Sequence, residues 1–257
     1  MLKSGNVLEI KGIRIGEGVP KIIVPIVEKT EEEILKKAEE LKKLDLDAVE
    51  WRADHYENVK DPESVSGVLK GLEKLLKEKI LLFTVRTKAE GGEIKLTDQE
   101  YAGIIKNAAE ISHPDMIDIE MLKDEELVRS LVVDCHWNRI AVVGSNHDFN
   151  KTPERDELIR RLKLMQSLNA DVLKIAVMPK KPADVLTLLS VTEEMSRRIP
   201  DRPLITMSMS GAGAVSRIAG GVFGSAMTFG SVGQGSAPGQ IPLKKLRETM
   251  TVLHEAL

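Results

Sequence analysis

Short apolar segments alternate with longer amphipathic segments along the chain from residue 21 onward. The apolar segments are rich in β-branched residues, which is typical of buried parallel strands. The segments between them, such as EEEILKKAEELKKL and DELIRRLKLMQSL, carry apolar residues at helical spacing. The pattern predicts eight strand–helix units, with strands at 21–27, 46–52, 80–86, 115–120, 139–145, 171–177, 203–209 and 225–229.

Several predicted helices begin at capping sequences. Two threonines precede a glutamate by three residues, which is the capping-box pattern. Two other sites place a capping residue before a proline at the first helical position. These sites are Thr30 with Glu33, Thr97 with Glu100, Asp61-Pro62 and Thr152-Pro153.

Eight alternations without a linker or repeat predict an α/β protein built as a (β/α)8 TIM barrel. We expect one domain over 1–257, with the barrel in 21–257. Residues 1–20 contain VLEIKGIRIGEG, which predicts a hairpin that turns near Lys11-Gly12 and closes the bottom of the barrel. Pro25 fits a central strand poorly and indicates a bulge or a strand end. The alternative fold is an open doubly wound sheet.

Composition and charge narrow the class of partner. The 257 residues are 42% hydrophobic and 30% charged, with a net charge of -3. This balance argues against nucleic acid or an anionic membrane, which favour a concentrated basic face. Cys135 is the only cysteine and falls in a predicted helix, so we expect a packed thiol rather than a nucleophile. The segment IIVPIV is too short to cross a bilayer, and we expect a cytoplasmic protein.

Polar residues gather where the predicted strands end, which is where barrel enzymes carry their active sites. Alternation on the second strand places Glu50 and Arg52 on one face and Trp51 on the other. We expect Trp51 to face the helices and the two charges to face the barrel mouth. The other candidates at this end are Arg86, Glu90, Asp118, Glu120, His147, Met207, Met209, Ser236 and Gln240.

Lys174 lies inside the apolar sixth strand, DVLKIAV, in phase with Val172 and Ala176. Neither face of a barrel strand meets bulk water, so we expect the amine to point into the lumen. Desolvation and neighbouring arginines are expected to lower the pKa of this amine and free it to attack a carbonyl. The alternative is a structural lysine paired with a carboxylate such as Glu120.

His147 follows the strand next to the one that carries Lys174. Beside an imine-forming lysine it is the natural general base, since its unperturbed pKa lies near neutrality. Glu90 is expected to orient the imidazole. Taken alone, His147 fits a loop residue without a catalytic role equally well.

Arg217 is placed to bind a carboxylate or a phosphate near the start of the seventh helix. The glycine-rich segments SGAGAVSR and GQGSAPG fit either a phosphate cup or a mobile lid and a tight helix start. Met207 and Met209 fit core packing or the apolar wall of a pocket.

The chain resembles the type I 3-dehydroquinate dehydratases of the shikimate pathway over nearly its full length. The resemblance rests on the order and spacing of IGEGVPKIIVPI, DAVEWRADH, LLFTVRTKAEGGE, MIDIE, VVGSNHDFNKTP, KIAVMP, TMSMSGAGAVSRIAGGVFGSAMTFG and SAPGQI. It implies a barrel enzyme without metal or cofactor, usually a homodimer. The implied reaction is the syn elimination of water from 3-dehydroquinate through an imine, giving 3-dehydroshikimate.

The resemblance also implies roles for individual residues. Lys174 is similar to the Schiff-base lysine, His147 to the proton-transferring histidine, and Glu90 to the carboxylate that supports it. The implied substrate contacts are Glu50, Arg52 and Arg86 for hydroxyls, Arg217, Ser236 and Gln240 for the carboxylate and closing lid, and Met207 and Met209 for the pocket wall.

Two other functions remain as alternatives. A class I aldolase acting on a phosphorylated sugar would use the same lysine and bind phosphate at GQGSAPG. A carboxylate-binding or scaffold module would more naturally lack one of Lys174, His147 and Arg217.

Overall fold

The computed structural model describes residues 7–112, 114–199, 201–233 and 238–257. An antiparallel hairpin, β1 (Leu8–Ile10) and β2 (Ile13–Ile15), comes first. The barrel strands are β3 (Lys21–Ile26), β4 (Ala48–Arg52), β5 (Ile80–Thr84), β6 (Met116–Glu120), β7 (Ala141–Asp148), β8 (Val172–Val177), β9 (Leu204–Ser208) and β10 (Met227–Ser231). A short strand, β11 (Ile241–Pro242), pairs with β10. The helices are α1 (Glu31–Leu41), α2 (Pro62–Leu75), α3 (Asp98–Ile111), α4 (Glu125–Trp137), α5 (Arg155–Ser167), α6 (Pro182–Arg198), α7 (Ala214–Ile218) and α8 (Leu243–Glu255).

The eight long strands are parallel, and each pairs with the next in chain order from β3 to β9. β10 returns to pair with β3. Between β9 and β10 a bridge joins Leu204 to Ser225, and Ala226 N donates to Leu204 O at 2.7 Å. The predicted TIM barrel is therefore confirmed. No α-helix in the described part of the chain has both the length and the apolar character that crossing a bilayer requires.

Alternation along the strands divides the apolar residues between two cores. On β8, Leu173 and Ile175 pack outward against the helices, and Val172 and Ala176 pack into the lumen. Trp51 belongs to the outer core, as predicted, and its ring centroid lies 5.4 Å from that of Phe83. A side chain in phase with Val172 and Ala176 therefore points into the barrel.

The hairpin closes the amino-terminal mouth of the barrel, as predicted. Lys11 and Gly12 both have positive φ, at 51° and 75°, which is the turn geometry that suits a two-residue hairpin loop. Ile15 is fully buried in the lumen core. Lys11 Nζ donates to Lys79 O at 3.0 Å, just before β5. The opposite mouth is left free for a site.

Three of the four predicted helix starts are confirmed. Thr30 and Thr97 form complete capping boxes, and the Asp61 carboxylate accepts from two amides of the first turn of α2. The prediction for Thr152 is wrong, because α5 begins at Arg155. The Thr152 hydroxyl instead donates to Met178 O at 3.1 Å.

Pro25 lies in a regular strand without a bulge, one residue before β3 ends. Lys21 N donates a hydrogen bond to Ala226 O, just before β10. Ile22 O accepts one from Asp47 N, just before β4. Strand alternation therefore turns the missing N–H of Pro25 toward β10. The β3–β10 ladder stops at the pair of Ile23 with Phe229, so the missing N–H of Pro25 falls just past its end. The expected bulge is wrong, and the expected strand end is nearly correct.

Three aspartates at the lower rim join alternate strand pairs. Each aspartate lies immediately before one strand. Its carboxylate accepts a hydrogen bond from a backbone amide near the start of the strand before that one in the chain. Asp115 Oδ2, for example, accepts from Leu81 N at 2.7 Å and lies 2.6 Å from Lys11 Nζ. The corresponding residues are Asp47, which accepts from Ile22 N, and Asp171, which accepts from Val142 N.

Replacing Asp115 with alanine should lower the free energy of unfolding by about 1.5–3 kcal/mol, the usual contribution of a hydrogen bond to a charged group. The change leaves the Leu81 amide of β5 without an acceptor and removes the carboxylate that pairs with Lys11. Urea unfolding measures the loss. The matched control is Glu110→Ala on the exposed face of α3, expected to stay within about 0.5 kcal/mol. Equal stability of the two variants would contradict the assignment.

Candidate active site

Lys174 projects from the middle of β8 into the upper lumen and is 2% exposed. Its Nζ lies 2.9 Å from Asp118 Oδ2 on β6 and 3.6 Å from Glu50 Oε1 on β4. The ring of Phe229 lies 4.7 Å from the same nitrogen. The predicted position in the lumen is confirmed. The carboxylate that pairs with the lysine is Asp118, so the suggestion of Glu120 as its partner is wrong.

Arg86 occupies the centre of a carboxylate cluster next to this lysine. Its Nη2 donates to Asp118 Oδ1 at 2.7 Å, and its Nη1 donates to Glu120 Oε1 at 3.2 Å. Ser145 Oγ also donates to Asp118 Oδ1, at 2.6 Å. The cluster joins the end of β5 to β6 and β7. It holds in place the carboxylates that line the lumen beside the Lys174 amine.

His147 lies inside β7, beside Ala176 of β8, rather than in the loop after the strand. Burial lowers the pKa of the imidazole well below its ordinary value, and the positive charges of Arg86 and Lys174 lower it further. The imidazole is therefore neutral at neutral pH. A neutral imidazole in a desolvated pocket is ready to accept a proton.

Glu90 holds this imidazole from the loop after β5. Its Oε2 accepts from His147 N at 2.9 Å and lies 3.1 Å from His147 Nδ1. With the Nδ1 proton directed to Glu90, Nε2 is the nitrogen left to act as a base. Burial raises the pKa of Glu90 to about 7. A positive charge gained by the imidazole would favour the carboxylate form of Glu90.

Asn146 fixes the position of Glu90 in turn. Its Nδ2 donates to Glu90 Oε1 at 2.9 Å, and its Oδ1 accepts from Arg161 Nη1 at 2.7 Å. Because an arginine can only donate, Arg161 determines which end of the amide faces Glu90. The base is thus held by a chain of contacts that begins on α5.

Glu50 and Arg52 both line the cavity, on the same face of β4 as predicted. Asp54 binds Arg52 through two hydrogen bonds of 2.8 Å. Asp54 also accepts from Arg86 N and Glu93 N at 3.2 Å each. This buried carboxylate therefore joins the end of β4 to the loop that carries Glu90.

Arg217 is 2% exposed, and no carboxylate of the described residues pairs with it. Its Nη2 donates to Pro238 O at 3.3 Å, its Nη1 approaches Met207 Sδ at 3.6 Å, and its Nε has no hydrogen-bond partner. Burial lowers the pKa of Arg217 to about 10. A buried guanidinium without a counter-charge is a strong site for an anionic group.

These side chains surround one cavity at the carboxyl ends of the strands. Ten predicted site residues line it: Glu50, Arg52, Arg86, Glu90, His147, Lys174, Met207, Met209, Arg217 and Gln240. Ser236 lies outside the described residues. Four lining residues were missed by the sequence analysis: Gly91, Phe149, Ala176 and Phe229. Strand alternation would have predicted that the side chains of Ala176 and Phe229 point into the lumen.

The cavity combines an amine, a neutral imidazole and a guanidinium that has no carboxylate partner among the described residues. An amine attacks a carbonyl, an imidazole moves a proton, and a guanidinium holds a carboxylate or phosphate. Within the described ranges no group of three His, Cys, Asp or Glu side chains is placed to hold a metal ion. The arrangement is suited to carbonyl chemistry on a small anion.

Comparison with known proteins gives consistent matches. The family model of the type I 3-dehydroquinases matches residues 22–256. The 3-dehydroquinate dehydratase of Bacillus subtilis (strain 168) is 48% identical over 250 residues, 97% of this chain and 98% of that protein. That of Klebsiella pneumoniae (ATCC 700721) is 49% identical over 248 residues, 96% and 99% of the two chains. The crystal structure of type I 3-dehydroquinate dehydratase from Clostridium difficile with covalently modified comenic acid has a TM-score of 0.95 and 45% identity, covering 98% of this chain and 100% of that one.

Proposed function

Because the chain belongs to the type I 3-dehydroquinase family, we propose that it dehydrates 3-dehydroquinate through an imine on Lys174. The enzyme is a hydro-lyase, and its product is 3-dehydroshikimate, an intermediate on the way to the aromatic amino acids. The observation that carries the proposal is the shared cavity: the Lys174 amine, the neutral His147 imidazole and the unpaired Arg217 guanidinium all line it.

The first step is covalent. Lys174 Nζ adds to the C3 carbonyl of the substrate, and the carbinolamine loses the carbonyl oxygen as water. The cationic imine that results withdraws electrons from C2, so the C2 proton becomes acidic. Three observations support the site of this step: the amine points into the lumen, it is shielded from solvent, and it lines the cavity.

The second step moves a proton. His147 Nε2 takes the C2 proton and gives an enamine, while Glu90 holds Nδ1 and stabilises the imidazolium. The enamine then expels the C1 hydroxyl, to which His147 returns the proton, so that water leaves. Hydrolysis of the imine releases the product and restores Lys174. Because the same group takes the C2 proton and protonates the leaving C1 hydroxyl, both leave from one face of the ring, which is a syn elimination.

The remaining residues hold the substrate. The carboxylate of the substrate pairs with Arg217, while Glu50, Arg52 and Arg86 contact hydroxyls. Met207 and Met209 form an apolar wall of the pocket. Gln240, which lines the cavity, and Ser236 assist Arg217 in binding the substrate.

Ultraviolet absorbance tests the activity directly, because dehydration creates a conjugated enone. We expect absorbance to rise when 3-dehydroquinate is added to the purified protein. Borohydride added during turnover should leave a reduced adduct on Lys174, detectable by peptide mass spectrometry. Carbon–carbon cleavage without enone formation would instead support the aldolase. Turnover with an unmodified Lys174 would overturn the covalent mechanism.

Replacing Arg217 with methionine should raise KM and lower kcat/KM by about 10²–10³-fold, since truncating one partner of a buried charge pair costs about 2–5 kcal/mol. Folding stability should rise, because the guanidinium is buried and no carboxylate of the described residues offsets its charge. Steady-state kinetics and thermal unfolding measure the two effects. Arg160→Met on exposed α5 is the control, with unchanged kinetics. An unchanged KM in Arg217→Met would exclude this carboxylate contact.

Assembly and location complete the proposal: a homodimer in the cytoplasm. Membership of the family supports the dimer, and the buried, unpaired thiol of Cys135 suits a reducing compartment. Burial raises the pKa of this thiol to about 12, which keeps it unreactive. Sedimentation equilibrium measures the mass of the assembly. A monomer at working concentration would contradict the dimer.

A further inference from the structure

The two oxygens of Asp118 face different partners. Oδ1 accepts from Arg86 Nη2 at 2.7 Å and from Ser145 Oγ at 2.6 Å. Oδ2 lies 2.9 Å from Lys174 Nζ. Asp118 is 1% exposed. Because two donors bind Oδ1, they favour the orientation of the carboxylate in which Oδ2 is directed at the amine.

Imine formation changes the number of protons on the lysine nitrogen but conserves its charge. An ammonium group carries three N–H bonds. When it condenses with a ketone, two of these protons leave with the carbonyl oxygen as water, and one stays on the cationic imine. The product therefore needs a single hydrogen-bond acceptor with a negative charge. Asp118 Oδ2 already occupies that position beside Lys174.

We propose that Asp118 is the counter-ion of the imine: its Oδ2 accepts the one remaining N–H and keeps the nitrogen protonated during turnover. The inference rests on the proposed imine at Lys174. Only the protonated imine is an efficient electron sink. Loss of this proton would stop the proton transfer at C2 while the covalent bond to the substrate remained.

Asp118 suits this role better than Glu50, the other carboxylate that faces the amine. Glu50 Oε1 is farther from Nζ, at 3.6 Å, and already accepts from Thr84 Oγ1 at 2.9 Å. Arg86, His147 and Tyr101 also interact electrostatically with Asp118, and Glu120 shares Arg86 with it. Although burial acts to raise the pKa of Asp118, the charges of Arg86 and Lys174 hold that pKa well below its ordinary value. The carboxylate therefore stays ionised and does not remove the proton.

The test is the pH dependence of kcat, whose alkaline limb reports loss of the proton from the imine. Asp118→Asn keeps the shape of the side chain and removes its charge. Because an opposite charge at this distance shifts a pKa by about 1–3 units, the limb should move to lower pH by that amount. Borohydride should still trap the adduct on Lys174 at low pH.

Glu120→Gln is the matched control, since it neutralises another carboxylate of β6 that binds Arg86 without contacting Lys174. Its alkaline limb should stay where it is in the unmodified enzyme. An unmoved limb in Asp118→Asn, or equal shifts in both variants, would overturn the inference. Absence of the Lys174 adduct in the unmodified enzyme would instead mean that the proposed function has failed.

A second measurement needs no variant and so does not depend on whether Asp118→Asn folds. Cyanoborohydride reduces protonated imines selectively. With 3-dehydroshikimate bound to the unmodified enzyme, the rate of reduction should remain constant across and above neutral pH. A rate that falls as the pH rises through neutrality would show a nitrogen without a counter-ion and would overturn the inference.

Discussion

Lys174→Met should lower kcat by at least about 10⁴-fold, comparable with the loss of a catalytic nucleophile in other enzymes. Methionine occupies a similar volume in the lumen but cannot form an imine. The barrel should stay folded, because Asp118 keeps its hydrogen bonds from Arg86 and Ser145. The enone absorbance measures turnover, and circular dichroism measures the fold.

Lys180→Met is the matched control for this experiment. Lys180 is exposed and lies shortly after the same strand, outside the residues that line the cavity. Its replacement should leave both turnover and the borohydride adduct intact. Residual turnover of Lys174→Met above about one part in 10⁴ would mean that another group performs the chemistry.

Most of the barrel could be predicted because buried parallel strands carry a strong local signal. All eight strands lie within predicted ranges or extend past them by at most three residues. The largest error is at β7, which runs to Asp148 rather than to residue 145. Ser145, Asn146 and His147 are polar, and polarity at a strand end resembles a loop in sequence. In the structure Ser145 is buried against Asp118 of β6, Asn146 is buried, and Asn146 and His147 both bind Glu90 from the loop after β5.

The positions of the site residues could be predicted because strand alternation and the order of the strands determine them. Lys174 had to face the lumen once its neighbours on β8 were assigned to the two cores. The positions of Glu50 and Arg52 at the barrel mouth followed from the outward position of Trp51. These inferences needed only the period of a strand and the architecture of a barrel.

The partners of these residues could not be predicted, because they depend on strand register. Alternation places both Asp118 and Glu120 in the lumen, but only register decides that Asp118, and not Glu120, contacts Lys174 while both contact Arg86. For His147 the sequence supplied only the unperturbed pKa of a histidine, which lies near neutrality. Its depression comes from burial beside two cations, which no local sequence pattern encodes.

His147→Gln should lower kcat by about 10²–10⁴-fold while the imine still forms, since this is the usual contribution of a general acid–base group. Glutamine retains hydrogen-bonding capacity toward Glu90 but cannot take up the C2 proton at neutral pH. The imine should therefore accumulate. Stopped mixing with borohydride should yield more Lys174 adduct than in the unmodified enzyme.

His254→Gln, on the exposed face of α8, controls for the substitution itself and should retain full turnover. The contrast between adduct and turnover makes the test specific, because a distorted pocket would reduce both together. Normal kcat in His147→Gln would assign the proton transfer to another base. An absent adduct would indicate that His147 is needed before the imine forms, which would place its role at the carbinolamine rather than at C2.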